Sequence, residues 1–157
     1  MRYLVDRISQ CAELYIAFFA FLLNFVWELL HLPLFNGLDD THHYVVILHC
    51  TKATFGDVVI SLAAFYCACF FSGTRDWILT SDKVGLVVFF TVGLLITIGF
   101  ELLATGPLNR WEYSPLMPII PVIRVGLSPV MQWIIIPLIQ LWIVRRVLLS
   151  YRVQQQS

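Results

Sequence analysis

The motif aromatic-Glu-Leu-Leu occurs twice in this chain. Trp27-Glu28-Leu29-Leu30 is followed by Pro33-Leu34 and Asn36, and Phe100-Glu101-Leu102-Leu103 is followed by Pro107-Leu108-Asn109. In each copy a glutamate closes a long apolar run, a place where a carboxylate is costly to keep and usually has a task. Two carboxylates brought close together rarely both ionise. Glu28 and Glu101 therefore offer an acid and a base in one site, unless a cation neutralises both. The structural alternative is that each glutamate bridges a helix end to Trp27, Tyr113 or a backbone donor.

Histidine supplies the second constellation. Glu28 and His31 form a Glu-x-x-His pair, a spacing from which helical bundles build metal sites. His42, His43, His49 and Cys50 follow, with Asp39 and Asp40 beside them. A divalent metal held by His31, His43, His49 and Asp57 is the expectation this raises. The second motif copy carries Ala104 where a matching histidine would stand, which excludes a symmetric two-metal motif. The plain reading of His42 and His43, next to Asp39, Asp40 and Thr41, is a solvated loop or a helix N-cap.

A third group lies in Asn109-Arg110-Trp111-Glu112-Tyr113-Ser114-Pro115. Trp and Tyr belong at the depth of lipid headgroups, and an arginine there holds a phosphate or carboxylate. Arg110, Trp111 and Tyr113 are thus candidate substrate contacts, together with Asn24 and Gln132. An aromatic belt with an Arg–Glu pair is the alternative. No Gly-rich nucleotide loop, Gly-x-Ser-x-Gly elbow or His-Glu-x-x-His motif is present.

The elements that must position these residues follow from composition. The chain of 157 residues is 59% hydrophobic and 13% charged. That is too few polar residues to coat a water-soluble globule. Four segments reach the roughly 20 apolar residues a bilayer demands: 12–34, 53–71, 84–103 and 128–149. The first reads as a retained signal anchor, because its apolar run is too long for a signal peptide and no small-residue cleavage site follows. The second is preceded by an amphipathic stretch, 41–52, that either continues it as one long helix or lies on the interface. The fold expected is an all-α, four-helix membrane bundle forming one transmembrane domain over 1–157, with loops 35–52 and 104–126 on one side. A zero formal net charge and no basic stretch give no footprint for nucleic acid.

Positive charge sets the orientation. Arg2, Arg7, Arg75, Lys83, Arg145, Arg146 and Arg152 fall on the side of the termini, against Lys52, Arg110 and Arg124 on the other. The positive-inside rule places both termini in the cytoplasm. Asn24, Glu28 and His31 then share a face near the outer end of the first span, and Gly93, Thr97 and Glu101 share one on the third. Asp57 and Gln132 fall near the same outer boundary. Since both motif copies end outward spans, the two helical hairpins are expected to be parallel repeats about an axis along the membrane normal. Ser128 before Pro129 reads as the N-cap of the fourth span, and Pro137 as a kink within it. Cys67 and Cys69 point apart on a helix, and Cys50 has no evident disulfide partner on the outer side.

The combination Trp27-Glu28 with Pro33-Leu34, His49-Cys50 with Gly56-Asp57, Trp111-x-Tyr113-Ser114-x-x-Met117-Pro118, and Gly126-Leu127-Ser128-Pro129-x-x-Gln132-Trp133 resembles small uncharacterised four-span proteins of the bacterial inner membrane. The resemblance implies location but no activity. Glu101, Thr105-Gly106 and Trp111-x-Tyr113 are similar to a segment of carotenoid-modifying membrane enzymes, which implies apolar substrates. The function expected is acid–base or metal-assisted chemistry on a lipid or isoprenoid-like substrate. Glu28 and Glu101 would be acid and base, with His31 and Asp57 tuning them, and Arg110 and Trp111 would hold a headgroup. The competing classes are a metal-ion or proton transport or binding component, and an accessory subunit whose polar residues only lock helices. Membrane lipids are the expected partners, and a homo-oligomer or a membrane-protein partner stays open.

Overall fold

The computed structural model describes residues 11–37 and 42–156, so Asp39 and Asp40 lie outside the described residues. Its frame is four long helices: α1 (Ala12–Leu30), α2 (His43–Ser72), α4 (Lys83–Thr105) and α5 (Leu127–Gln156). All four are long and apolar enough to cross a membrane. A short α3 (Trp77–Thr80) sits in the turn between α2 and α4, and β1 (Ile119–Ile120) pairs antiparallel with β2 (Val125–Gly126) just before α5.

Local chemistry sets the helix ends. The Asp82 carboxylate accepts the Gly85 N–H at 2.8 Å and so caps the start of α4. Gly73, at φ 70°, stops α2 in the left-handed conformation that glycine adopts without steric cost. Pro129 lies in the first turn of α5, where the missing N–H costs nothing. The helix then runs unbroken through Pro137.

Two expected boundaries move. α2 begins at His43 and not at Ala53, because the amphipathic stretch continues the span as helix, so the loop expected over 35–52 is much shorter. At 1.5 Å per residue such a helix is about 45 Å long, well beyond the hydrocarbon thickness. α1 ends at Leu30, and Leu32–Leu34 form a separate 3-10 turn, since Pro33 has no N–H with which to extend the helix.

The helices form a ring in which α1 packs on α2 and α5, and α4 packs on the same two. α1 and α4, which carry the two motif copies, are therefore diagonal. One half of the interior is filled by contacting aromatic rings. Phe65 meets Trp77 at 5.9 Å, Trp77 meets Phe89 at 5.6 Å, and Phe89 meets Trp133 at 6.1 Å between centroids. Glycines admit these rings: a methyl group on Gly93 would lie 2.1 Å from the Trp133 ring, and one on Gly85 would lie 2.9 Å from Trp77. The other half is polar.

Candidate functional site

The polar half is built from one face of each long helix. α1 contributes Asn24, Glu28 and His31, at the i, i+4, i+7 spacing that stacks residues over one another. α2 contributes Asp57, α4 contributes Glu101, and α5 contributes Gln132. Asn24, His31, Glu101 and Gln132 are buried, while Glu28 and Asp57 are half-buried.

Gln132 is the hub. Its Nε2 lies 2.8 Å from Asn24 Oδ1, 3.2 Å from Asp57 Oδ2 and 3.4 Å from Glu28 Oε1. One amide thus joins α1, α2 and α5. Glu28 also faces His31, with Oε2 3.2 Å from Nε2. Glu101 is held from the loop that follows it: the Tyr113 hydroxyl donates to Oε2, and Trp111 Nε1 approaches the same oxygen at 3.5 Å. Glu28 and Asp57 lie within electrostatic reach of each other, and Glu101 lies within reach of Glu28, Asp57 and His31.

Two loops clamp each other above this cluster. Asn36 N–H donates to Glu112 O and Ser114 N–H donates to Leu34 O, both at 2.9 Å, and Ser114 Oγ donates to Pro33 O at 2.9 Å. The clamp fixes Tyr113 over Glu101. Burial first, and then the carboxylate that accepts its hydrogen, push the Tyr113 phenol well above its ordinary range, so it remains a donor. Beside the clamp is an open cavity of about 560 Å3 lined by Asn36, Thr105, Trp111, Tyr113, Ser114 and Met117, among others.

Asn24, Glu28, His31, Asp57 and Gln132 are thus brought into one group of contacts, and Glu101, Trp111 and Tyr113 into a second within electrostatic reach of the first. Arg110 is not: its side chain is exposed, while its N–H is held by Ala104 O at 2.8 Å. The set His31, His43, His49 and Asp57 is not assembled either. His43 and His49 are exposed on the outlying turns of α2. Because that stretch is helix, they rise about 21 Å and 12 Å along the axis from Asp57, beyond the span of one coordination sphere. Among the described residues no three His, Cys, Asp or Glu side chains are grouped to hold a metal ion.

Sequence reasoning missed one member. Ser128, read as a helix cap, turns its hydroxyl to α1, where Trp27 Nε1 lies 3.2 Å away and His31 Nδ1 3.1 Å away. The available signal was its spacing, since Ser128 stands one turn from Gln132 on the same face. Thr97 also proves notable. It lies one turn from Glu101 on α4, is 7% exposed, and its hydroxyl has no partner among the described residues. In contrast, Thr51, Thr54 and Thr105 each bond the carbonyl four residues back.

Set against known proteins, the chain matches no protein-family model, no curated protein and no solved structure.

Proposed function

We propose that the protein is a multi-pass enzyme of the bacterial inner membrane, with both termini in the cytoplasm, that performs acid–base chemistry on a lipid or isoprenoid-like substrate in the outer leaflet. The observation that carries this reading is the convergence of Glu28 and Asp57 from two helices on Gln132, with His31 against Glu28 and with Glu101, held by Tyr113, within electrostatic reach. Structural locking of helices needs one satisfied polar pair; several neighbouring carboxylates are an expensive way to achieve it. Glu101, whose Oε2 receives the Tyr113 hydrogen, is suited to accept a proton from substrate. Glu28 and Asp57 compete with Asn24 for two amide hydrogens on Gln132, so a proton retained between them relieves the shortage and supplies the acid. Trp111 and the cavity beside Tyr113 give a headgroup its place, and the lipid-facing ends of α1 and α4 give a tail its path. The diagonal placement of the two motif copies fits a pseudo-twofold relation of two parallel hairpins.

Enzyme is favoured over transporter by what lies beyond the cluster. A conducting path needs polar or water-filled space across the full membrane, and Trp133, Phe89, Trp77 and Phe65 fill the other half of the interior.

The test is direct. Purified protein in nanodiscs made from total bacterial lipid is incubated and the lipids are followed by mass spectrometry. At least one species should be consumed with time by the wild type and about 100-fold more slowly by Glu101→Gln, the usual scale of a lost general acid or base. Identical lipid profiles with wild type and with empty nanodiscs would contradict the proposal.

A further inference from the structure

We infer that Ser128 is a nucleophile, activated by His31 and oriented through Glu28, and that the site transfers the acyl group of a lipid carboxylic ester. This rests on the reading above only in taking the cluster as catalytic and lipid-facing.

The inference begins with the hydrogens around one oxygen. Trp27 Nε1 carries a hydrogen and no usable lone pair, so at 3.2 Å it can only donate to Ser128 Oγ. His31 Nδ1 lies 3.1 Å from that oxygen, and His31 Nε2 lies 3.2 Å from Glu28 Oε2. A neutral imidazole has one N–H. Placed on Nε2, it donates to the Glu28 carboxylate and leaves Nδ1 bare to accept the Ser128 hydroxyl hydrogen. Every donor then meets an acceptor. Nucleophile, base and orienting carboxylate stand in hydrogen-bond contact in that order, the arrangement by which such triads are recognised irrespective of chain position.

The start of α5 supplies the remaining part. The first four N–H groups of a helix have no partner within it. In α5 the Leu127 N–H goes to Pro118 O at 2.7 Å, and Pro129 has none. This leaves Ser128 to present its own N–H at the positive end of the helix dipole, beside Oγ. It is a donor of the kind an oxyanion would need when a carbonyl carbon becomes tetrahedral. Ser128 and His31 are 9% and 7% exposed, so the pair is largely shielded from water. The nearby surface is apolar, with Leu30 at 74% and Leu127 at 39% exposure. An ester at the junction of acyl chain and headgroup would meet the nucleophile at that depth.

The step balances. Ser128 Oγ bonds to the ester carbonyl carbon as its proton passes to His31 Nδ1. The tetrahedral intermediate then expels the alcohol, whose oxygen takes the proton from Nδ1, and the acyl group remains on Ser128. Water, giving a proton to His31, attacks the acyl carbon. The bond to Ser128 breaks, its oxygen recovers the proton, and a carboxylic acid leaves. An alcohol in place of water would give transesterification.

The test uses the purified full chain in nanodiscs, an alkyl fluorophosphonate that phosphonylates activated serines with loss of fluoride, and peptide mapping by mass spectrometry. A stoichiometric adduct on Ser128 is expected, forming about 100-fold more slowly in His31→Gln. Glu28→Gln should slow it too, with thermal unfolding of both variants recorded to verify folding. An unmodified Ser128 in the wild type, or an equal rate of labelling in folded His31→Gln, would overturn the inference. Neither result touches the lipid-conversion comparison with Glu101→Gln. A labelled Ser128 in a protein that converts no lipid would count against the broader reading and overturn acyl transfer from a lipid, leaving only the activated serine standing.

Discussion

Glu101 accepts hydrogen from Tyr113, and that one bond makes two measurable quantities depend on a loop residue outside the bundle. Tyr113→Phe removes the donor and leaves a buried carboxylate short of a partner, so unfolding at neutral pH should come about 1–3 kcal/mol more easily. The pH dependence has a definite sign. The Tyr113 phenol is held above its ordinary value of 10.0, first by burial and then by the carboxylate. In alkaline solution the unfolded chain therefore loses this proton before the folded chain does. The folded state then binds more protons, so this group makes stability fall as pH rises past its ordinary value. In Tyr113→Phe that part of the alkaline decline should be missing. Calorimetry of both proteins from neutral to alkaline pH checks the two expectations together, and parallel curves would remove the assigned role of the phenol.

Among the helices, close approach is set by glycine at two contacts, and one glycine further along provides a control. Gly93→Ala drives a methyl group into the Trp133 ring and should cost about 1–3 kcal/mol through overpacking. Gly99→Ala, with nothing within 4 Å of the added methyl, should be neutral or raise stability by up to about 1 kcal/mol through helix propensity. Thermal unfolding in detergent measures both. Equal effects would mean that α4 and α5 do not pack as described. Four long apolar helices, and the closeness of Glu28, Asp57 and Gln132, were legible beforehand because apolar length and helical spacing point to them. The start of α2 was not, since an amphipathic stretch reads equally as interfacial helix or as continuation, and that choice decides whether His43 and His49 can reach Asp57. Ser128 escaped notice for a related reason: its partners Trp27 and His31 stand about a hundred positions away in the chain, and only the seating of α5 against α1 shows the contact.

At the scale of the molecule, the site occupies one end of the bundle, and two ion pairs, Arg75 with Glu13 and Arg152 with Asp76, tie elements together at the other. The excess of Lys and Arg on that opposite end leads to a topology expectation. In a background with the native cysteines Cys11, Cys50, Cys67 and Cys69 replaced, Glu112→Cys should react with an impermeant maleimide added to intact cells, and Thr74→Cys should react only after lysis. The reverse pattern would place the site on the cytoplasmic side. Aromatic packing fills the remaining half of the interior. The proposed chemistry depends on the polar residues of separate helices forming one interacting unit. A double-mutant cycle of Glu28→Gln and Asp57→Asn, read as unfolding free energy in mixed micelles, tests this most directly, because both carboxylates meet the same Gln132 nitrogen. The expected result is a coupling of about 0.5–3 kcal/mol, as found for residues of one network, whereas effects that add to within about 0.3 kcal/mol would contradict it.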